Sequence, residues 1–139
     1  MKKVFIICIS LLIFNCNTHL NAQAPEAVKK TFQAKYPGEN DPDWHTDSHG
    51  YYEANFKIDG IKYRADFNAD GTWVETECSI DEDELPEAIK KVIEEKYDDE
   101  EITEIERVES AKKGLFYDVE FKRKGKNKDV EFRTDGSII

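Results

Sequence analysis

The chain has 139 residues, with 20 Lys and Arg against 30 Asp and Glu and a net charge of −10 at pH 7. So acidic a surface repels phosphate backbones, whereas nucleic-acid binding needs clustered Lys and Arg. The one basic cluster, Lys122-Arg123-Lys124-Gly125-Lys126-Asn127-Lys128, reads as a solvated hairpin tip, so nucleic acid is excluded as a partner and an anionic membrane surface is disfavoured.

The first stretch has the parts of a secretory signal peptide. Lys2 and Lys3 give a positive start, Val4 to Phe14 is an almost unbroken apolar run, and Leu20-Asn21-Ala22-Gln23-Ala24 supplies small residues near a cleavage point. The run is 11 residues long, well short of the ~20 that a spanning helix needs, and no later segment matches it. The expectation is cleavage after Ala22, removing residues 1–22 and leaving 23–139 as a periplasmic or secreted protein without a transmembrane segment. Cleavage after Ala24 would put Pro25 just beyond the scissile bond. Ile13-Phe14-Asn15-Cys16 loosely resembles a lipobox, but Phe14 and Asn15 stand where small residues are usual, so lipid anchoring at Cys16 is the weaker reading. The remaining 117 residues fit a single domain. Cys8 and Cys16 fall within the signal, so Cys78 has no intramolecular disulfide partner and is expected as a small buried hydrophobe.

Self-similarity organises the rest. Pro25-Glu26-Ala27-Val28-Lys29-Lys30 returns as Pro86-Glu87-Ala88-Ile89-Lys90-Lys91, and both stretches run to a Lys-Tyr pair, Lys35-Tyr36 and Lys96-Tyr97. Tyr52-x3-Phe56-Lys57-x2-Gly60 returns as Tyr117-x3-Phe121-Lys122-x2-Gly125, and Phe67-x2-Asp70-Gly71 as Phe132-x2-Asp135-Gly136. The offset grows from 61 to 65, so the second copy has four extra residues between helix and strands. Two tandem repeats follow, one over about 25–78 and one over about 86–139.

Each copy begins with a helical stripe: Ala27, Val28, Thr31, Phe32 and Tyr36, then Ala88, Ile89, Val92, Ile93 and Tyr97. Pro25 and Pro86 suit a helix start, Glu26 and Glu87 suit its positive end, and Pro37-Gly38 stops the first helix. A short strand is expected near Trp44–Asp47 and another near Ile102–Glu109. Alternation then takes over. Tyr52, Ala54, Phe56 and Ile58 face one way, with Ile61, Tyr63, Ala65 and Phe67 after the Asp59-Gly60 turn, then Val74, Thr76 and Cys78. Tyr117, Val119, Phe121, Val130 and Phe132 repeat the pattern. Period-two alternation broken by Asp-Gly turns predicts antiparallel hairpins buried on one face. The fold class is α+β: both helices lie on one face of an antiparallel sheet and the other face is open.

These residues resemble the PepSY-like family of bacterial periplasmic proteins, whose fold is similar to that of the β-lactamase inhibitor protein. The resemblance rests on the signal peptide, the P-E-A-[VI]-K-K helix ending in K-Y and the hairpin with F-x2-D-G, and covers Pro25 to Ile139. It implies a duplicated helix-and-hairpin domain outside the cytoplasm and points to protein binding or protease inhibition. The motifs are structural, so they speak to fold and carry no mechanism.

For catalysis there is no G-x-S-x-G, no HExxH and no phosphate-cradling glycine loop, so no enzyme and no cofactor are expected. Asp66-x-Asn68-x-Asp70-Gly71-x5-Glu77 matches the formula of a calcium loop, making Asp66, Asn68, Asp70 and Glu77 metal candidates. Strand geometry argues against it, and the second copy keeps only the Asp135-Gly136 turn, so a β-turn is the preferred reading. His45, Asp47 and His49 would share a face if their stretch were a strand, but same-face neighbours ~7 Å apart make a poor zinc shell.

The open face remains. If Tyr52 and Tyr117 point inward, Tyr51 and Phe116 point outward, and Trp73, out of phase with Val74 and Cys78, joins them. Glu53, Asn55, Lys57, Arg64, Asp118, Glu120 and Arg133 would surround them. Aromatics in a charged surround suit a protein interface. The expectation is an exported, non-enzymatic binding or inhibitor-like protein acting on another periplasmic or secreted protein through Tyr51, Trp73, Phe116, Arg64 and Glu53. An acidic calcium- or metal-binding envelope protein and a structural or oligomeric one are the alternatives.

Overall fold

A computed structural model describes residues 23–139; the expected signal peptide and Cys16 lie outside the described residues. The chain is α+β. Among the described residues, two α-helices, α1 (Glu26–Lys35) and α2 (Glu87–Lys96), and a short 3-10 turn at Glu82–Glu84 accompany seven strands: β1 (Asp43–Thr46), β2 (Tyr52–Ile58), β3 (Ile61–Phe67), β4 (Trp73–Ser79), β5 (Glu101–Ser110), β6 (Gly114–Arg123) and β7 (Lys126–Phe132). The strands form one antiparallel sheet in sequence order. The β4–β5 pair, Glu75–Ser79 against Glu106–Ser110, makes the sheet continuous although α2 intervenes in sequence.

Both helices start at the expected prolines, with Pro25 and Pro86 as the residues just before the first turn and Glu26 and Glu87 inside it. Each buries a stripe at i, i+4: Val28 and Phe32 on α1, Ile89 and Ile93 on α2. The register places the two stripes on one side of the sheet, because Tyr63, Cys78, Arg107, Tyr117 and Phe132 lie opposite one another across five strands.

Beneath each helix is a separate apolar cluster. Under α1, Phe32 meets Phe56 edge-on at 5.1 Å between centroids and Trp44 at 5.5 Å, over Ala54, Ala65 and Phe67. Under α2, Tyr97 stacks on Phe121 at 4.5 Å, over Val119, Val130 and Phe132. Complete burial of a phenylalanine such as Phe67, Phe121 or Phe132 contributes roughly 1.5–3 kcal/mol. Two turn glycines let helix and sheet approach closely. A Cβ on Gly71 would stand 2.7 Å from the Ala27 carbonyl oxygen, and one on Gly136 2.7 Å from that of Ala88. Both also have positive φ, +89° and +84°, which side chains resist.

The four extra residues of the second half go into strand. β1 has 4 residues and β5 has 10, and the longer strand pairs on both sides. Cys78 is a buried free thiol. No helix among the described residues is long and apolar enough to cross a membrane.

Candidate binding face

The side of the sheet away from the helices is not apolar. Strand alternation sends Glu53, Asn55, Arg64, Asp66, Glu75, Glu77, Glu106 and Asp118 to this side, since their neighbours Ala54, Ala65, Thr76, Ile105, Tyr117 and Val119 face the helices. Register then lines them up. Glu53, Asp66 and Glu75 stand directly opposite one another across β2, β3 and β4, with His45 opposite Glu53 on β1. The next row runs Asn55, Arg64, Glu77, Val108, Phe116. A third runs Ser79, Glu106, Asp118, Glu131.

Several of these acids are inside the protein. Asp66 is 7% exposed and Glu77 8%. Arg64 is their cation: its Nη2 is in contact with Glu77 Oε2, and its Nε lies 3.9 Å from Asp66 Oδ2. The contact with Glu77 is close but lacks hydrogen-bond geometry, and Arg64 Nε, Asp66 Oδ1, Glu77 Oε2 and Asp118 Oδ1 are buried without hydrogen-bond partners among the described residues.

Burial therefore dominates their ionisation. Desolvation lifts the Asp66 carboxyl to about 6, against the pull of Arg64 and with the help of Glu53, Glu75 and Asp47. Desolvation and the neighbouring Glu106 carry Glu77 to about 7, again against Arg64. Glu106 is raised by desolvation and by Glu104, against the pull of Arg64. Asp118 is raised by desolvation and by Asp129 and Glu131. Arg64 is desolvated too, but Glu77 and Asp66 outweigh that and hold its charge more firmly.

At one end of the face the β1–β2 loop forms a rim. Asp47 organises it: Oδ1 accepts from the backbone N–H of His49 at 2.9 Å and of Tyr51 at 2.8 Å, and Oδ2 lies 3.1 Å from His49 Nδ1. Although partly desolvated, Asp47 is held below the usual carboxylate range by these bonds. Inside the rim is an open cleft of about 460 Å³, lined by residues that include Tyr51, Glu53, Arg64, Asp66 and Glu75. Tyr51, Glu53 and Arg64, three of the expected binding residues, are thus brought together.

The other two need correction. Trp73 lies on the helix side, packed against the cluster under α1, with its Nε1 donating to Thr76 Oγ1 at 2.9 Å and the Lys35 ammonium 3.8 Å from its ring centroid. The cause is a bulge: Phe67 pairs with Trp73 and Asp66 with Glu75, so Val74 is extra and the strand's phase inverts there. Tyr36 completes this polar contact with Thr76, and burial pushes its hydroxyl up to about 12. Phe116 is on the open side but is only 3% exposed, so it is no surface anchor. Lys113 covers it, its ammonium 4.9 Å from the ring centroid and also 2.6 Å from Glu131.

The metal candidates do not form a shell. Asn68 to Gly71 is a turn in which Asn68 C=O accepts from Gly71 N–H at 2.9 Å and Asp70 Oδ1 accepts from Thr72 N–H at 2.9 Å. Asp66 and Glu77 are on the sheet face beside Arg64. Among the described residues no group of three or more His, Cys, Asp or Glu has metal-holding geometry. β1 ends at Thr46, so Asp47 and His49 belong to the loop and do not continue a His45 strand face. The row Glu53–Asp66–Glu75 was missed as a unit. The tight Asp59-Gly60 turn fixes the β2–β3 register and could have revealed its first pair.

No curated protein matches the chain. Solved structures share the fold. A protein described as "putative periplasmic" from Bacteroides eggerthii DSM 20697 superposes with a TM-score of 0.76 at 21% identity, over 84% of this chain and 86% of that one. A DUF2874 family protein from Bacteroides ovatus ATCC 8483 gives 0.75 at 24% identity, over 83% and 84%. A BLIP-like protein from Bacteroides fragilis NCTC 9343 gives 0.72 at 23%, over 83% of each chain. Residues 50–139 match the PepSY-like family, described as "Putative beta-lactamase-inhibitor-like, PepSY-like", and the chain belongs to that family.

Proposed function

We propose that this is an exported, non-enzymatic binding protein of inhibitor-like type, which engages another periplasmic or secreted protein through its open sheet face. The processed chain would be residues 23–139, acting as one domain that arose by tandem duplication and uses no cofactor. The observation that carries the reading is the face itself. Both helices cover the other side, while this side presents a cleft rimmed by Tyr51 with Glu53 and Arg64 on its wall. Tyrosine and arginine are the residue types that most often anchor protein interfaces. The family description and the BLIP-like neighbour favour inhibition over other kinds of binding.

Capture with matched variants tests this. The protein would be immobilised and exposed to native envelope and secreted fractions beside a Tyr51→Ala/Glu53→Lys variant and a Glu94→Lys control on α2. A protein held by wild type and control but lost by the Tyr51/Glu53 variant, at an unchanged melting temperature, is the expected result. Equal retention by all three would remove the open face from the account.

A further inference from the structure

The cleft has a charge problem that its own residues leave unsolved. Glu53, Asp66 and Glu75 are in register on three adjacent strands, which sets neighbouring Cβ atoms ~5 Å apart and makes directly opposed like charges destabilising. Among the described residues, Arg64 is the only Lys or Arg lining the cleft. Its guanidinium leans to Glu77, reaches Asp66 only at 3.9 Å, and leaves Nε unbonded. Asp66 Oδ1 is buried without a hydrogen-bond partner in a residue 7% exposed. Among the described residues, Glu53 accepts a side-chain hydrogen bond only from the Asn55 amide, at 2.6 Å. Asp47 is occupied by the backbone and ring of its loop. Consistency between local charge and fold is thus broken in this row, as it is in the row Glu106–Asp118–Glu131, and functional sites are where such breaks are expected; the Glu53–Asp66–Glu75 row is the one that lines the Tyr51 cleft.

We propose that the Tyr51 cleft receives a basic side chain of a partner protein, a guanidinium or ammonium held by Glu53, Asp66 and Glu75. The inference rests on the open-face reading and supplies the partner's chemistry. A bare metal ion fits less well, because these acids are spread along a strand row beside Arg64 and do not converge as a coordination shell. A cation on a side chain needs only an arm's reach into an open cleft of about 460 Å³. Once there, it makes charge-assisted hydrogen bonds to carboxylates that already repel one another. Tyr51 at the rim offers a ring face for a planar guanidinium.

The test is a titration followed by backbone amide shifts, using Nα-acetyl-arginine methylamide and its neutral isostere, Nα-acetyl-citrulline methylamide. The arginine probe should give saturable shifts at Tyr51, Glu53, Asp66 and Glu75, weakened about fivefold or more in Glu53→Gln/Glu75→Gln. That variant relieves like-charge repulsion along the row, keeps an amide oxygen to accept from Asn55 and gives up part of the attraction to Arg64, so its melting temperature should stay close to that of wild type. Equal shifts from the citrulline probe, unchanged affinity in the variant, or the same shifts from calcium chloride alone would each overturn the proposal. If a partner is captured equally by Glu53→Gln/Glu75→Gln and wild type but lost by Tyr51→Ala/Glu53→Lys, the basic-side-chain inference falls and the open-face reading stands. If Tyr51→Ala/Glu53→Lys loses nothing, the open-face reading itself fails.

Discussion

The two faces of this sheet bury side chains for opposite reasons. On the helix side, Phe67, Phe121 and Phe132 are fully buried beneath α1 and α2, and removing them from water stabilises the fold. On the open side, Asp66 and Glu77 are nearly as buried, and there desolvation, helped by acidic neighbours, raises their carboxyls and those of Glu106 and Asp118, with Arg64 pulling against it at Asp66, Glu77 and Glu106. Partly paired buried charge is at best weakly stabilising. The apolar face holds the molecule together, while the charged face is kept at some expense in stability.

That comparison can be broken in graded steps. Phe67→Ala or Phe132→Ala should each cost about 3–5 kcal/mol, read from urea midpoints, since each empties a fully buried ring site. Gly71→Ala should cost about 2–3 kcal/mol, because it adds a strained positive φ to a collision with the Ala27 carbonyl. Gly50→Ala shares the positive φ but meets no atom within 4 Å, so it should cost about 1 kcal/mol, the low end for a side chain in that region. A Gly71 variant as mild as the Gly50 one would show that α1 does not press on the sheet.

The open face predicts a pH dependence of the opposite sign to ordinary acid denaturation. Asp66, near 6, and Glu77, near 7, have folded pKa values above their unfolded ones, so the folded state binds more protons between about pH 4 and 7. Stability should therefore rise as pH falls from about 8 to 5, by on the order of 1–2 kcal/mol. It should fall again below about pH 4, where Asp47, Asp70 and Asp135, held low in the folded state, take up protons. Glu77→Gln should flatten the slope between 5 and 8; an unchanged slope in that variant would mean the buried acids are not its source. The smallest effect belongs to Glu75→Gln, a gain of a few tenths of a kcal/mol from relieved repulsion with Asp66.

Much of the fold was legible because its signals are local. Pro25 and Pro86 mark the helix starts, Val28/Phe32 and Ile89/Ile93 give the stripes, and Asp59-Gly60 closes the first hairpin. Tyr51, Glu53 and Arg64 followed from alternation, which survives intact along β2 and β3. Trp73 did not, because a one-residue bulge at Val74 inverts the phase and propensity does not announce it. Phe116 was placed on its side of the sheet but not at its depth: alternation cannot foresee that Lys113 folds over the ring. The carboxylate row needed register across three strands, which is a property of pairing and not of any one segment.

The most direct test of the central claim is amide hydrogen exchange of the protein alone and saturated with the partner it captures. Binding at the open face predicts new protection around Tyr51–Asn55, Arg64–Asp66 and Glu75–Glu77, with α1 and α2 unchanged. Protection confined to the helices, with those strand segments unaltered, would contradict it.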